Sequence, residues 1–186
     1  MSLLQNIIKT WRIAYPNTLF LLYSYLSTFG AFVLDISPPF LRNVIYKLRL
    51  GKCGKNTLID YKVYMRYFKN IEIGNNVSIN RGCELYTSFH LKKKIIIGNN
   101  VTISPNVKFY GAAQSYRQKK MADTANDIII EDDCWICANS IILQGVTIGK
   151  GSVIGAGSIV TKNIPSNSIA VGNPAKVIKK RIYNDE

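Results

Sequence analysis

From Cys53 onward, aliphatic residues recur at every sixth position. Ile130, Ile136, Ile142, Ile148, Ile154 and Val160 keep that spacing without a break. Ile73, Ile79 and Leu85 keep it too, as do Ile97, Ile103 and Phe109, and Cys53, Ile59 and Met65 follow it less cleanly. Such internal repetition dictates architecture before any motif is considered. Three residues after the anchors of the ten best hexads stand Asn76, Gly82, Asn100, Asn106, Asp133, Asn139, Gly145, Gly151, Gly157 and Asn163. All are residues that tolerate the left-handed backbone region needed to turn a corner. The following position holds small or β-branched residues, among them Val77, Cys83, Val101, Cys134, Ser152 and Ile164, which suit the inside of a corner. Each hexad is therefore a short strand plus a tight turn, and three hexads make one triangular coil. Stacked coils pair their backbones about 4.8 Å apart, as parallel strands do.

With coils starting at Cys53, Ile73, Ile97, Ile130 and Ile148, the surplus over eighteen residues is two, six and fifteen for the first three coils and zero for the fourth. If each surplus follows the third hexad, every insertion leaves from one corner of the prism. The longest runs from about Gln114 to Asp127, where function is expected. Ahead of the repeat the pattern changes. Pro38 and Pro39 open a short helix in which Leu41, Val44, Ile45 and Leu48 form an apolar stripe, with Arg42, Lys47 and Arg49 on the other side and Gly51 past the end. Such a helix covers one end of the core. Ile13 to Leu34 carries no charge, but Pro16, Asn17, Ser24, Ser27, Thr28 and Gly30 interrupt it and it is rich in Tyr and Phe. It reads as a helical region that packs on the domain or lies on a membrane surface, rather than as a span. The organisation expected is an N-terminal helical segment, residues 1–52, and a repeat domain, residues 53–186, with a protruding loop around 114–127 and a basic tail.

The 186 residues, 47% hydrophobic, suffice for one domain with a core. A net charge of +13 implies an anionic contact: nucleic acid, a membrane surface or a phosphate-bearing small molecule. The basic clusters lack the interleaved aromatics of a single-strand-binding surface, so nucleic acid is set aside. Cys53, Cys83, Cys134 and Cys137 include one CxxC, in CWIC, without a second pair or matching histidines. No metal site is expected, and the cysteines read as reduced, buried thiols of a cytoplasmic protein.

The hexads resemble those of the left-handed β-helix, or hexapeptide-repeat, acyltransferases. The tail VTIGKGSVIGAGSIVTKNIPSNSIAVGNPAKVIKK is similar to the C-terminal signature of the galactoside, maltose and polysaccharide O-acetyltransferases. The resemblance covers roughly residues 53–181. It implies an all-β fold, a left-handed parallel β-helix of about five coils, in a homotrimer with acetyl-CoA in a groove between neighbouring prisms. It also implies that Ala138 and Ala156 contact the pantetheine arm, and that Thr161, Lys162, Lys176 and Lys179 lie along the rest of the cofactor. Trp135 matches a tryptophan beside the active site, although a core or interface role explains it as well.

Transfer of acetyl from a thioester to a hydroxyl needs a bound acyl-CoA, donors for the developing oxyanion and a base for the hydroxyl proton. The family's catalytic histidine aligns with Gln114, which takes no proton near neutral pH. Three readings stay open. His90, the only histidine, falls at the same place one coil earlier and is a candidate relocated base. Catalysis can run without a dedicated base, or with Tyr116, Asp123, Asp127 or a water in its place. Or the chain is a catalytically impaired CoA-binding homologue or scaffold. The function implied is acetyl-CoA-dependent O-acetylation of a sugar hydroxyl in polysaccharide or glycoconjugate assembly, at the cytoplasmic side of the membrane, with the N-terminal segment as the candidate for peripheral contact. N-acylation of an amino sugar is the narrower alternative.

Overall fold

The computed structural model describes residues 18–182 apart from 89 and 118, so the expectations for residues 13–17 and for the end of the basic tail lie outside the described residues. The chain forms two compact units, Met1–Ser37 and Pro38–Glu186. The first contains α1, Thr18–Ile36, a helix with exposed apolar side chains along one side, among them Leu21, Tyr25, Leu26, Phe29 and Phe32, and with Leu34 buried on the other. Thr28 Oγ1 and Ser37 Oγ each donate back to the carbonyl four residues earlier, to Ser24 at 2.8 Å and Val33 at 2.6 Å.

The second unit opens with α2, Pro39–Arg49, whose first position suits proline because its missing N–H is an orphan there in any case. A parallel β-helix follows, with three sheets, one per face. The first face stacks Lys52–Cys53, Ile71–Ile73, Ile95–Ile97, Ile128–Ile130 and Thr147–Ile148. The second stacks Leu58–Ile59, Ser78–Ile79, Thr102–Ile103, Trp135–Ile136, Val153–Ile154 and Ser168–Val171, and Lys176–Lys180 closes its edge as an antiparallel strand. The third stacks Tyr64–Arg66, Glu84–Tyr86, Lys108–Tyr110, Ile141–Leu143 and Ile159–Val160.

The register is the one the six-residue period dictates. Cys53, Ile73, Ile97, Ile130 and Ile148 stand opposite one another in turn. So do Ile59, Ile79, Ile103, Ile136 and Ile154, and Met65, Leu85, Phe109, Ile142 and Val160. From the second coil on these anchors are almost wholly buried and make up the core. The corners turn through positive φ at Asn76, Gly82, Asn100, Asn106, Asp133, Asn139, Gly145, Gly151 and Gly157. Asn163 departs from the expectation: it is absent from the left-handed set, and its Oδ1 instead accepts from Thr147 N at 2.8 Å. Inside the corners Ser140, Ser152 and Ser158 are fully buried, and each hydroxyl is hydrogen-bonded to backbone, as burial of a polar group requires. Burial pushes the Cys83 and Cys134 thiols up to about 11.

The short helix corrects the sequence reading. Its polar side, not its apolar stripe, faces the β-helix: Arg42 is 3% and Tyr46 2% exposed. The Arg42 guanidinium donates to Asp60 O at 2.8 Å and lies over the Tyr61 ring at 3.9 Å, while Tyr46 meets Phe68. Leu41, Val44 and Leu48 point away from the core and are exposed. The first coil offers a carbonyl and aromatic faces at this end, and a guanidinium matches both where an aliphatic side chain does not.

Candidate functional site

All three surpluses leave the β-helix at one corner, between the third face and the first. The shortest is a single turn, Phe68–Asn70. The second, residues 87–94, rests on it through Asn70 Nδ2, which donates to Ser88 O at 2.9 Å, and through Thr87 Oγ1, which donates to Arg66 O at 3.0 Å. The longest closes on itself as a hairpin, Ala112–Gln114 against Asp123–Ala125. Asp127 ties the second excursion to the foot of the third: its Oδ1 accepts from Lys94 N at 2.8 Å and its Oδ2 lies 3.7 Å from Lys93 Nζ. Gln144, one coil further on, holds the hairpin from beneath. Its Nε2 donates to Thr124 Oγ1 at 2.9 Å and its Oε1 accepts from Asn126 Nδ2 at 3.5 Å.

Gln114 sits on this hairpin, exposed, directly opposite Asp123. Ser115 N donates to Ala122 O, so the neighbouring pair is hydrogen-bonded and Gln114–Asp123 is a close, non-hydrogen-bonded pair. Their side chains project from one face of the hairpin with Cβ atoms about 4.5–5.5 Å apart. His90 lies exposed in a bend of the second excursion. The stacked column expected for Gln114 and His90 does not form. The parallel ladder between their coils ends at Tyr86–Tyr110 and Gly111 N to Tyr86 O, and beyond it the longer surplus lets Gln114 pair within its own hairpin. The signal for the Gln114–Asp123 pair was present in the chain, in the length of the insertion, but not its register.

The residues expected along a cofactor fall on three parts of the β-helix. Trp135, 47% exposed, projects from the second face between Thr102 and Val153, and its Nε1 donates to Ser104 Oγ at 3.0 Å. Ala138 and Ala156 occupy the corner between the second and third faces on successive coils, where Gly157 N donates to Ala138 O at 2.9 Å. A methyl group built on Gly157 would meet nothing within 4 Å, so this corner presents bare backbone to open space. Lys176 and Lys179 are carried by the antiparallel edge strand of the second face, opposite Val171 and Ile169. Arg181 anchors the strand's end by donating to Asp133 O and Gly151 O, each at 3.0 Å. Thr161 and Lys162 stand exposed just past the last third-face strand, at the corner between the third and first faces and apart from Lys176 and Lys179. The grooves beside α2 at the far end of the prism, lined by Arg42, Asn43, Thr57 and Tyr61 among others, contain none of these residues.

In a triangular section the second face lies opposite the corner between the third and first faces. Trp135 and the hairpin therefore occupy opposite sides of one prism.

The sequence model of the bacterial transferase hexapeptide (six repeats) matches residues 127–162. The putative acetyltransferase YJL218W of Saccharomyces cerevisiae is 40% identical over 139 residues, 73% of this chain and 69% of that protein. Across further curated relatives the share of the relative's length falls to 57%. A hexapeptide-repeat acetyltransferase of Vibrio cholerae, complexed with acetyl-coenzyme A, is similar with a TM-score of 0.77 and 28% identity, covering 84% of this chain and 86% of its own. A maltose O-acetyltransferase of Clostridium difficile is similar with a TM-score of 0.75 and 31% identity, covering 89% and 90%.

Proposed function

This chain belongs to the hexapeptide-repeat acetyltransferases, acyltransferases with a left-handed β-helix and acetyl-CoA as donor, and we propose that it acetylates a sugar hydroxyl in glycan assembly. The observation that carries the reading is the pairing of two surfaces: the bare-backbone corner at Ala138 and Ala156 leading to the lysines of the tail, and a hairpin that presents a carboxamide beside a carboxylate. The similarity to a maltose O-acetyltransferase supports a sugar as acceptor.

Bound acetyl-CoA supplies an acetyl thioester. Lys176 and Lys179 attract its phosphates as point charges, without the bidentate fork of arginine. Ala138 and Ala156 let the pantetheine arm lie against backbone amides and carbonyls. Trp135, its ring fixed by Ser104, packs beside the reacting end. Gln114 orients the acceptor hydroxyl by hydrogen bonding but takes no proton. The proton goes to Asp123, whose carboxylate stands next to Gln114. Asp127 is unsuited to that task because Lys93 and the Lys94 amide already engage both its oxygens. Since the donor surface and the hairpin lie on opposite sides of one prism, the hairpin of one copy works on the second face of the next. Three such head-to-tail contacts close a trimer.

The test is acetylation of a panel of sugars and amino sugars, with the product's lability to alkali separating ester from amide. Ester formation that falls about 10²- to 10⁴-fold in Asp123→Asn, with acetyl-CoA binding retained, is the expected result. Retained activity in Asp123→Asn together with loss in His90→Ala would move the base to the second excursion. A product resistant to alkali would overturn the hydroxyl acceptor.

A further inference from the structure

The helix α2 is inside out. At 100° per residue, Arg42, Tyr46 and Arg49 share the side that packs on the first coil, and Phe40, Leu41, Val44 and Leu48 gather on the opposite side. Phe40 is 73% and Leu48 72% exposed. A free surface helix ordinarily does the reverse, so this stripe is built to be covered.

We propose that the outward stripe of α2 lies on an anionic membrane surface and holds the β-helix there. The charge around the stripe selects the occupant. Between Asp35 and Asp60 the chain has no acidic residue, while Lys47 borders the stripe and Lys52 and Lys55 follow it in the chain. A second copy docked stripe to stripe would bring these cations against their own kind, whereas anionic headgroups neutralise them. The helix that precedes α2 in the chain supports the same occupant. α1 exposes Leu21, Leu22, Tyr25, Leu26, Phe29 and Phe32 along about half of its circumference and has no charged residue before Asp35, a composition that water covers poorly. Among the described residues no helix is long and apolar enough to cross a membrane, so the contact is with the surface layer, where aromatic and aliphatic side chains sink between headgroups and lysines meet phosphates.

The experiment is flotation of the full-length protein with vesicles of phosphatidylcholine alone and of phosphatidylcholine mixed with phosphatidylglycerol, with light scattering of the free protein alongside. Binding to the mixed vesicles that salt weakens is expected. The double variant Phe40→Glu, Leu48→Glu should lose it by about a hundredfold or more while thermal unfolding and acetyl-CoA binding stay unchanged, since both side chains already face outward. Flotation of the double variant equal to wild type would overturn the proposal and leave lipid binding to other parts of the chain. No flotation of the wild type on either vesicle, with an oligomer that the double variant breaks, would overturn it in favour of a second copy on the stripe.

Discussion

At the scale of single residues, the corners carry the repeat. Asn139 turns its corner at φ 59°, where a β-branched side chain clashes with its own backbone and glycine does not. Asn139→Val should cost about 1–2 kcal/mol, and Asn139→Gly only a few tenths, as measured by denaturant unfolding. The turn residues were legible in the chain because left-handed backbone tolerates so few side chains. Asn163 was not, since asparagine serves equally well as a hydrogen-bonding side chain outside that region. Lys62 and Tyr67, also at positive φ, gave no compositional signal at all. Of the four cysteines read as buried thiols, Cys83 and Cys134 are buried inside corners, whereas Cys53 and Cys137 are only half-buried. Burial raises the Cys83 and Cys134 thiols from 9.0 to about 11, so the folded state keeps them protonated while the unfolded chain ionises. Their contribution to stability is complete below pH 9 and is lost as pH rises toward 11. A melting temperature that falls over that interval, and falls less in Cys83→Ser, Cys134→Ala, is the expected record.

At the scale of elements, length was legible and pairing was not. The surplus of fifteen residues marked the third excursion, but only the folded chain shows that it closes as a hairpin and puts Asp123 beside Gln114. Gln144 gives that hairpin its footing through Thr124 and Asn126. Gln144→Ala should therefore reduce turnover by about 10- to 100-fold through misplacement of the acceptor, with acetyl-CoA affinity unaltered. Steady-state kinetics beside a binding titration separates the two. The helix α2 teaches the complementary lesson: periodicity identified an amphipathic stripe and could not say what the stripe faces. The deciding fact lies in the partner, since Asp60 O and the Tyr61 ring select a guanidinium.

At the scale of the whole molecule, the six-residue period was enough to fix coil number, register and core. It carries no information on handedness, which enters with the family, or on the acceptor, which no stretch of the chain spells out. The folded chain, rather than the period, places Lys176 and Lys179 on the edge strand of the second face and the hairpin on a different side of the prism, which is the ground for the proposed site between neighbouring copies. The absence of histidine at Gln114 is compatible with turnover on this account, because orientation comes from the carboxamide and proton removal from Asp123 across the hairpin. The most direct measurement is release of coenzyme A from acetyl-CoA by the full-length protein in the presence and absence of sugar acceptors. Sugar-dependent release is predicted. Tight binding of coenzyme A with no release on any acceptor, in a protein that gains activity on Gln114→His, would contradict the account and identify a member of the family that has kept its donor site and lost its chemistry.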